Sequence, residues 1–414
     1  MKRLVWLMVV ALQIPAIAER RTGTQVIDEA IAALGGRARL ENISTLWMSG
    51  TGTNGLFGQN RSPNAALPAF EITSFSRSVD FVHGRARHEQ SRTAQFPYVF
   101  ASTQRQIFAV DGDVAFNVSA DGRSNRQAAS VAKDRRAEYV AHHPIGVIHM
   151  ALSPGASVGN YRKLANMEVV DITTAAGDHA TLAVDARSHY PQLVRTMSDD
   201  VALGDVTVET TFADYRDVDG VRLPMRLTTK TDRYVTADLK VSGATINGST
   251  VDLSAPQSVT SSAGPPPYAP KVTAQEVSKG IWLLAGEGHH SVLVELSDHT
   301  ELIEVPLNET RAIAVIAKAR DVVRDKPLRK VIVTHHHFDH TAGVRAAVAE
   351  GLTLVAHQSN RTILEDLSRR PHTIVPDTLS RHPRPMKLET VGDRTVIADP
   401  LTPMEMYHVQ DDAH

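Results

Sequence analysis

The rhythm of apolar and polar positions changes once along this chain, near residue 270. Val26, Ile27, Ala30, Ile31 and Leu34 recur at helical spacing, and Gly35-Gly36 end the run, so a short helix opens the first region. Beyond it the period shortens to two. Thr207–Phe212 and Val235–Val241 alternate, and the stretch from Tyr215 to Pro224 predicts a strand, a turn at Asp219-Gly220 and a second strand. Residues 19–261 are therefore expected to form a mainly antiparallel β domain built as a curved sheet.

A Pro-rich linker at 262–271 follows, since its prolines can neither continue a helix nor donate to a sheet. The pattern then mixes strands and helices. Short strands are expected at Gly280–Ala285, Ser291–Leu296 and Glu301–Val305. Asn308 is placed to cap a helix whose buried face is Ala312, Ile313, Ile316, Ala319 and Val323, with Pro327 ending it. Lys330–Thr334 is nearly all apolar after its first residue, as in a strand covered on both faces. A helix is expected from near Ala342. Residues 272–414 thus form an α/β unit.

Composition narrows the function. A chain of 414 residues is long enough for more than one domain. Its net charge of −2, with no long basic run, gives no footing for nucleic acid. Lys2 and Arg3 precede an apolar stretch from Leu4 to Ile14 and then Pro15-Ala16-Ile17-Ala18. This is the pattern of a secretory signal peptide at 1–18, cleaved near Ala18, and its core is too short to span a bilayer. The mature protein is expected in the periplasm or outside the cell, with no stable membrane insertion. Cysteine is absent, so any metal must be held by His, Asp or Glu.

The candidate chemistry lies where the apolar strand runs out, at His335-His336-His337-Phe338-Asp339-His340. In an extended segment His335 and His337 point to one side, with Asp339 next in phase and His340 turning toward the helix. One short segment can therefore offer ligands to two neighbouring cations. Imidazole and carboxylate suit zinc, and a bound zinc ion lowers the pKa of a water ligand to about 7, giving a metal-bound hydroxide at neutral pH. His336 is expected to face away.

With its leading Thr334 and trailing Gly343, this segment resembles the signature of the metallo-β-lactamase superfamily, His-x-His-x-Asp-His. The resemblance covers roughly residues 275 to 414. It implies an αββα sandwich, His335 and His337 on one zinc ion, Asp339 and His340 on a second, and Asp339 as the catalytic carboxylate that orients the nucleophile. It also implies a third imidazole for the first ion after a later strand. His414 is favoured for that role over His408, which is read as lying within the strand. The superfamily's later Asp and last His have no counterpart before the final residue, so the sandwich is expected to be incomplete and the chain a fragment, with up to two zinc ions in the full-length protein.

Other positions have weaker expectations. His290 could touch substrate or sit in a solvated turn. Glu304 could support the ligands, and His357 could pack or brace them. His372 and His382 are expected in loops, and His142, His143 and His149 as histidines without a metal. The segment Tyr215–Pro224 resembles a turn of periplasmic lipoprotein carriers, which implies a curved sheet for the first region. The function expected is an exported zinc-dependent hydrolase of a small molecule, its bond an ester, lactam, lactone or phosphodiester. The alternatives are a mononuclear iron oxygenase of the same superfamily, and a non-catalytic periplasmic binding protein with a degenerate metal domain.

Overall fold

A computed structural model describes residues 21–97, 102–248 and 251–409. The signal peptide at 1–18 and His414 lie outside the described residues. The first helix spans Gly23–Leu34 and is closed at its start by a reciprocal pair. The Thr22 side chain accepts from the Gln25 backbone, and the Gln25 side chain accepts from the Thr22 backbone. Val26, Ile27, Ala30, Ile31 and Leu34 are all buried.

The rest of the first region builds one antiparallel sheet of thirteen strands. Its first strand, Thr45–Gly55, pairs with its last, Tyr234–Ile246, at the centre. From that seam the strands step outward in chain order on one side to Ser124–Arg126, and in reverse order on the other to Ser157–Leu164. The strands Gly204–Val218 and Val221–Thr231 form a hairpin in which Val218 faces Val221. Its two turn residues, Asp219 and Gly220, both have positive φ, 53° and 82°, which matches the right-handed twist of the flanking strands and explains why Asp-Gly stands there.

The second region builds a mixed sheet of seven strands in chain order. Thr273–Ser278, Ile281–Ala285, Ser291–Glu295 and Thr300–Ile303 are antiparallel neighbours, and Leu328–Val333, Thr353–His357 and Lys387–Val391 then add in parallel. The crossover helix Glu309–Val322 starts at Asn308, whose side chain accepts from the Arg311 backbone. One expected detail fails. Ile313 is 41% exposed, and the buried face is Arg311, Ala312, Val315, Ile316 and Ala319. A charged residue took the inward place because backbone carbonyls await it there: Arg311 donates to the carbonyls of Lys271 and Gly286, each at 3.0 Å.

The two sheets are not independent beads. Ala202, Leu203, Val206 and Tyr234 of the first region are buried in the same apolar cluster as Val331, Val333, Phe338 and Leu354 of the second. Arg370 donates to the Leu203 carbonyl at 2.6 Å, and the Asp205 carboxylate accepts from the backbones of Thr373 and Ile374. A second hairpin of the first sheet, residues 56–68, reaches into the second region at the hexapeptide.

Candidate metal centre

The strand Leu328–Val333 delivers the hexapeptide to the carboxyl edge of the parallel sheet, where open α/β sheets place their ligands. The helix that follows starts earlier than expected, at Phe338, with a first turn to Thr341 and a second segment Val344–Ala349. The extended-strand phasing therefore holds for His335 to His337 and stops there. Asp339 and His340 are on a helical turn, and this folds them back toward His335. The His335 and His340 rings lie 4.1 Å apart between centroids, and those of His335 and His337 4.7 Å apart.

Two tight groups of donor atoms result, each with all its atoms within 4.8 Å of one another. One is His289, Asp339 and His340, and the other is Glu304, His335 and His340. His337 is in neither and lies against His335. His408 is not among them; it follows the strand Met404–Tyr407 and stacks on His357. Of the two adjacent histidines in the early hairpin, His289 reaches the centre, not His290. Its Nε2 donates to Asp339 Oδ2 at 2.8 Å. The turn backbone decides which ring turns inward, with Glu287 at a φ of 59° and the Gly286 and His289 carbonyls gripped by buried Arg311. Adjacent identical residues carry no signal that could have made this choice from sequence.

Glu304 takes the supporting part. It ends its strand in the left-handed region at φ 72°, a conformation that costs a non-glycine residue about 1 kcal/mol or more. That backbone turns its carboxylate so that Oε1 accepts from the Thr334 backbone at 2.8 Å and Oε2 lies 3.2 Å from His340 Nδ1. The donor to Asp339 that sequence reading missed is Gln59, on the 56–68 hairpin. Its Nε2 donates to Asp339 Oδ1 at 2.6 Å. On the same hairpin the Asn60 carbonyl accepts from Nε2 of both His336 and His337, at 2.7 and 3.0 Å. A carbonyl only accepts, so each ring carries its proton on Nε2, and His337 would ligate through Nδ1. The Gly58 carbonyl accepts from the Phe338 backbone at 3.1 Å, and Phe57 packs edge-on against the Phe338 ring.

Burial and these contacts set the protonation states. Burial, then the neighbouring His340 and His337, push the His335 ring down to about 3, which keeps it neutral and able to ligate. Burial raises the Asp339 carboxyl, but the Gln59 hydrogen bond, the charge of His340 and the His289 hydrogen bond outweigh it and hold Asp339 below its ordinary value. Burial lowers His340, and the Glu304 hydrogen bond and charge outweigh that and raise it. The donors converge, are nitrogen and carboxylate oxygen, and include no thiolate, so they fit zinc or a similar divalent ion.

The remaining histidines divide by environment. His142 is buried between Thr210 and Thr196, and His143 caps the helix Pro144–Leu152 by accepting from the Ile145 backbone. His149 donates to the Leu40 carbonyl. His372 lies in a loop, as expected, but is buried against Gly204. His382 ends a short helix at the surface.

Comparison with known proteins agrees with this geometry. Residues 284–359, which contain His289, Glu304 and the whole hexapeptide, match the family model of the metallo-beta-lactamase superfamily, and the resemblance read from the motif is borne out. The protein thus combines a metallo-beta-lactamase-like segment in its second region with a large antiparallel sheet in its first. Among solved structures, the metallo-β-lactamase FIM-1 from Pseudomonas aeruginosa, in a mono-zinc form, is 24% identical over 23% of this chain and 46% of its own, with a TM-score of 0.21. A metallo-β-lactamase from Erythrobacter litoralis is 26% identical over the same shares, also at 0.21. A LolA superfamily protein from Nitrosomonas europaea is 10% identical over 56% of this chain and 96% of its own, with a TM-score of 0.36. The chain spans less than half the length of the two metallo-β-lactamases. Among curated proteins, none matches it.

Proposed function

We propose that this is an exported zinc-dependent hydrolase acting on a small molecule. The observation that carries the reading is the convergence of His289, Asp339 and His340, with His335 beside them, at the end of a buried strand inside the segment matched to a metallohydrolase superfamily. His335, His337 and His414 would hold one ion, and Asp339, His340 and His289 a second. Zinc, when bound, would lower the pKa of a water ligand to about 7 and polarise the bond to be cleaved.

The chain's own residues have distinct tasks. Asp339 is ionised and aimed by Gln59 and His289, so it can orient an incoming water and accept its proton at a carboxylate oxygen. Glu304 steadies His340, and Asn60 steadies His337. His335, His336 and His337 line an open cleft of about 850 Å³, room enough for a small molecule. Arg61 and Pro63 of the 56–68 hairpin line this cleft, so the first region would contribute to substrate choice. Zinc-loaded protein and its His337→Ala variant, assayed for metal content and for hydrolysis of ester, lactam, lactone and phosphodiester probes, test the proposal. Loss of at least one ion and of activity is expected. Retained activity, or one bound iron in place of zinc, would count against it.

A further inference from the structure

We propose that His357, Asp393 and His408 form a second divalent-cation site, separate from the hexapeptide but opening on the same cleft. The three come from different parts of the second region. His357 ends the parallel strand next to the one that delivers the hexapeptide. Asp393 sits in the tight connection between the strands Lys387–Val391 and Arg394–Ile397. His408 follows the strand Met404–Tyr407, and its backbone donates to the Asp393 carbonyl at 2.9 Å, which ties the hairpin shut beneath the side chains.

Their donor atoms fall within 4.8 Å of one another, and the two carboxylate-to-ring separations are shorter than the roughly 4.4 Å that an ion about 2.0–2.2 Å from each of two ligands can bridge. Asp393 Oδ1 lies 3.2 Å from His408 Nδ1 and 3.6 Å from His357 Nε2. The two rings are stacked 3.7 Å apart and only 12° from parallel. A hydrogen bond from His408 to Asp393 accounts for part of this. It leaves His357 Nε2 buried with no hydrogen-bond partner, an arrangement that proteins avoid unless something else meets the atom. The other nitrogen of that ring, Nδ1, is 2.8 Å from Ser359 Oγ. That Nδ1 also accepts from the Ser359 backbone at 3.4 Å, so binding an ion through Nε2 would move the ring proton to Nδ1, with Ser359 Oγ taking it as hydrogen-bond acceptor in place of that long contact.

Two imidazoles and a carboxylate suit zinc and its neighbours in the first transition row, and three protein ligands leave a coordination position open. Asp393 is 71% exposed, so an ion can reach the cluster from solvent, and the stacked rings would tilt apart to turn both nitrogens toward it. The cleft that holds His335 and His337 also holds His357 and His408. An ion here would put a second positive charge beside bound substrate, a feature suited to anionic groups.

Zinc alone is the probe. The metal-free chain is titrated with zinc against a chromophoric chelator, as wild type and as Asp393→Asn and His357→Ala, and again with each change added to a His335→Ala/His337→Ala background. Circular dichroism checks that each variant is folded, and Asp393→Asn, at an exposed position, guards against loss of fold. One zinc equivalent is expected to survive the loss of His335 and His337, and to disappear or weaken at least tenfold when Asp393 or His357 is then changed. Cobalt in place of zinc should give a visible absorption that the same changes abolish. If folded Asp393→Asn and His357→Ala proteins bind as many equivalents as their parents, with unchanged affinity, the site does not exist.

Discussion

Gln59 donates from Nε2 to Asp339 Oδ1 at 2.6 Å across 280 residues of sequence, so a hairpin of one sheet aims a carboxylate of the other. The opposite oxygen accepts from His289. Held at both ends, Asp339 is kept facing the histidines, and its charge is stabilised by these two hydrogen bonds together with the nearby His340. Gln59→Ala should therefore lower zinc affinity by about 10–100-fold, the usual cost of losing a partner that orients a ligand. A chelator competition with folded variant protein checks this; unchanged affinity would remove Gln59 from the site.

Gly58 has a φ of 77°, and a Cβ placed on it would come within 2.4 Å of the Phe338 ring. Gly58→Ala adds a strained backbone to a steric clash, at a cost of about 1–3 kcal/mol. Phe338 lies inside the hexapeptide, so the push is felt at Asp339 as well. A lower urea midpoint together with weaker zinc binding is the expected pair of effects, and a midpoint equal to that of wild type would contradict the packing described.

Arg311 is fully buried and serves three carbonyls, those of Lys271, Gly286 and His289. Arg311→Met keeps much of the volume but strands those acceptors, which should cost roughly 2–4 kcal/mol. It also releases the hairpin that carries His289. Thermal unfolding should shift down, and zinc affinity should fall in whatever fraction stays folded. A variant as stable as the parent would mean that these carbonyls find other donors.

Three histidines far from the hexapeptide make the fold sensitive to acid. Burial, and then the charge of Arg77, push His88, His142 and His143 each down to about 3 from an ordinary value of 6.5. The unfolded chain takes up protons near 6.5 and the folded chain does not, so the stabilisation is complete above pH 6.5 and is lost as pH falls toward 3. By pH 5 the loss is roughly 2 kcal/mol for each ring. Urea midpoints measured between pH 7.5 and pH 5 should drop, and His142→Gln should make the slope shallower. A flat profile for the wild type would show that these rings are protonated in the native state.

What could be read from the amino acids was what neighbours in sequence decide. His335 to His340 are contiguous and follow an apolar strand, so their gathering needed no tertiary information. The Asp219-Gly220 turn was legible for the same reason, because two residues determine it. Gln59 and Asn60 were not legible. Nothing in Leu56–Pro68 marks a hairpin that will meet residues 276 to 280 positions away. Ile313 was placed inward and Arg311 passed over because helical periodicity assigns an inward face to apolar residues, and the carbonyls that reverse that rule come from Lys271 and the 286–289 turn. Asp339 was given an extended phase because the pattern could not place the first helical turn at Phe338.

The seam between Thr45–Gly55 and Tyr234–Ile246 bears on how the protein is made. Both strands of the seam precede the hexapeptide in sequence, so the hairpin that carries Gln59 and Asn60 is anchored by a part of the chain that is synthesised first. The expectation is a centre whose side chains are held by this frame before any ion binds, unlike small domains whose ion must nucleate the fold.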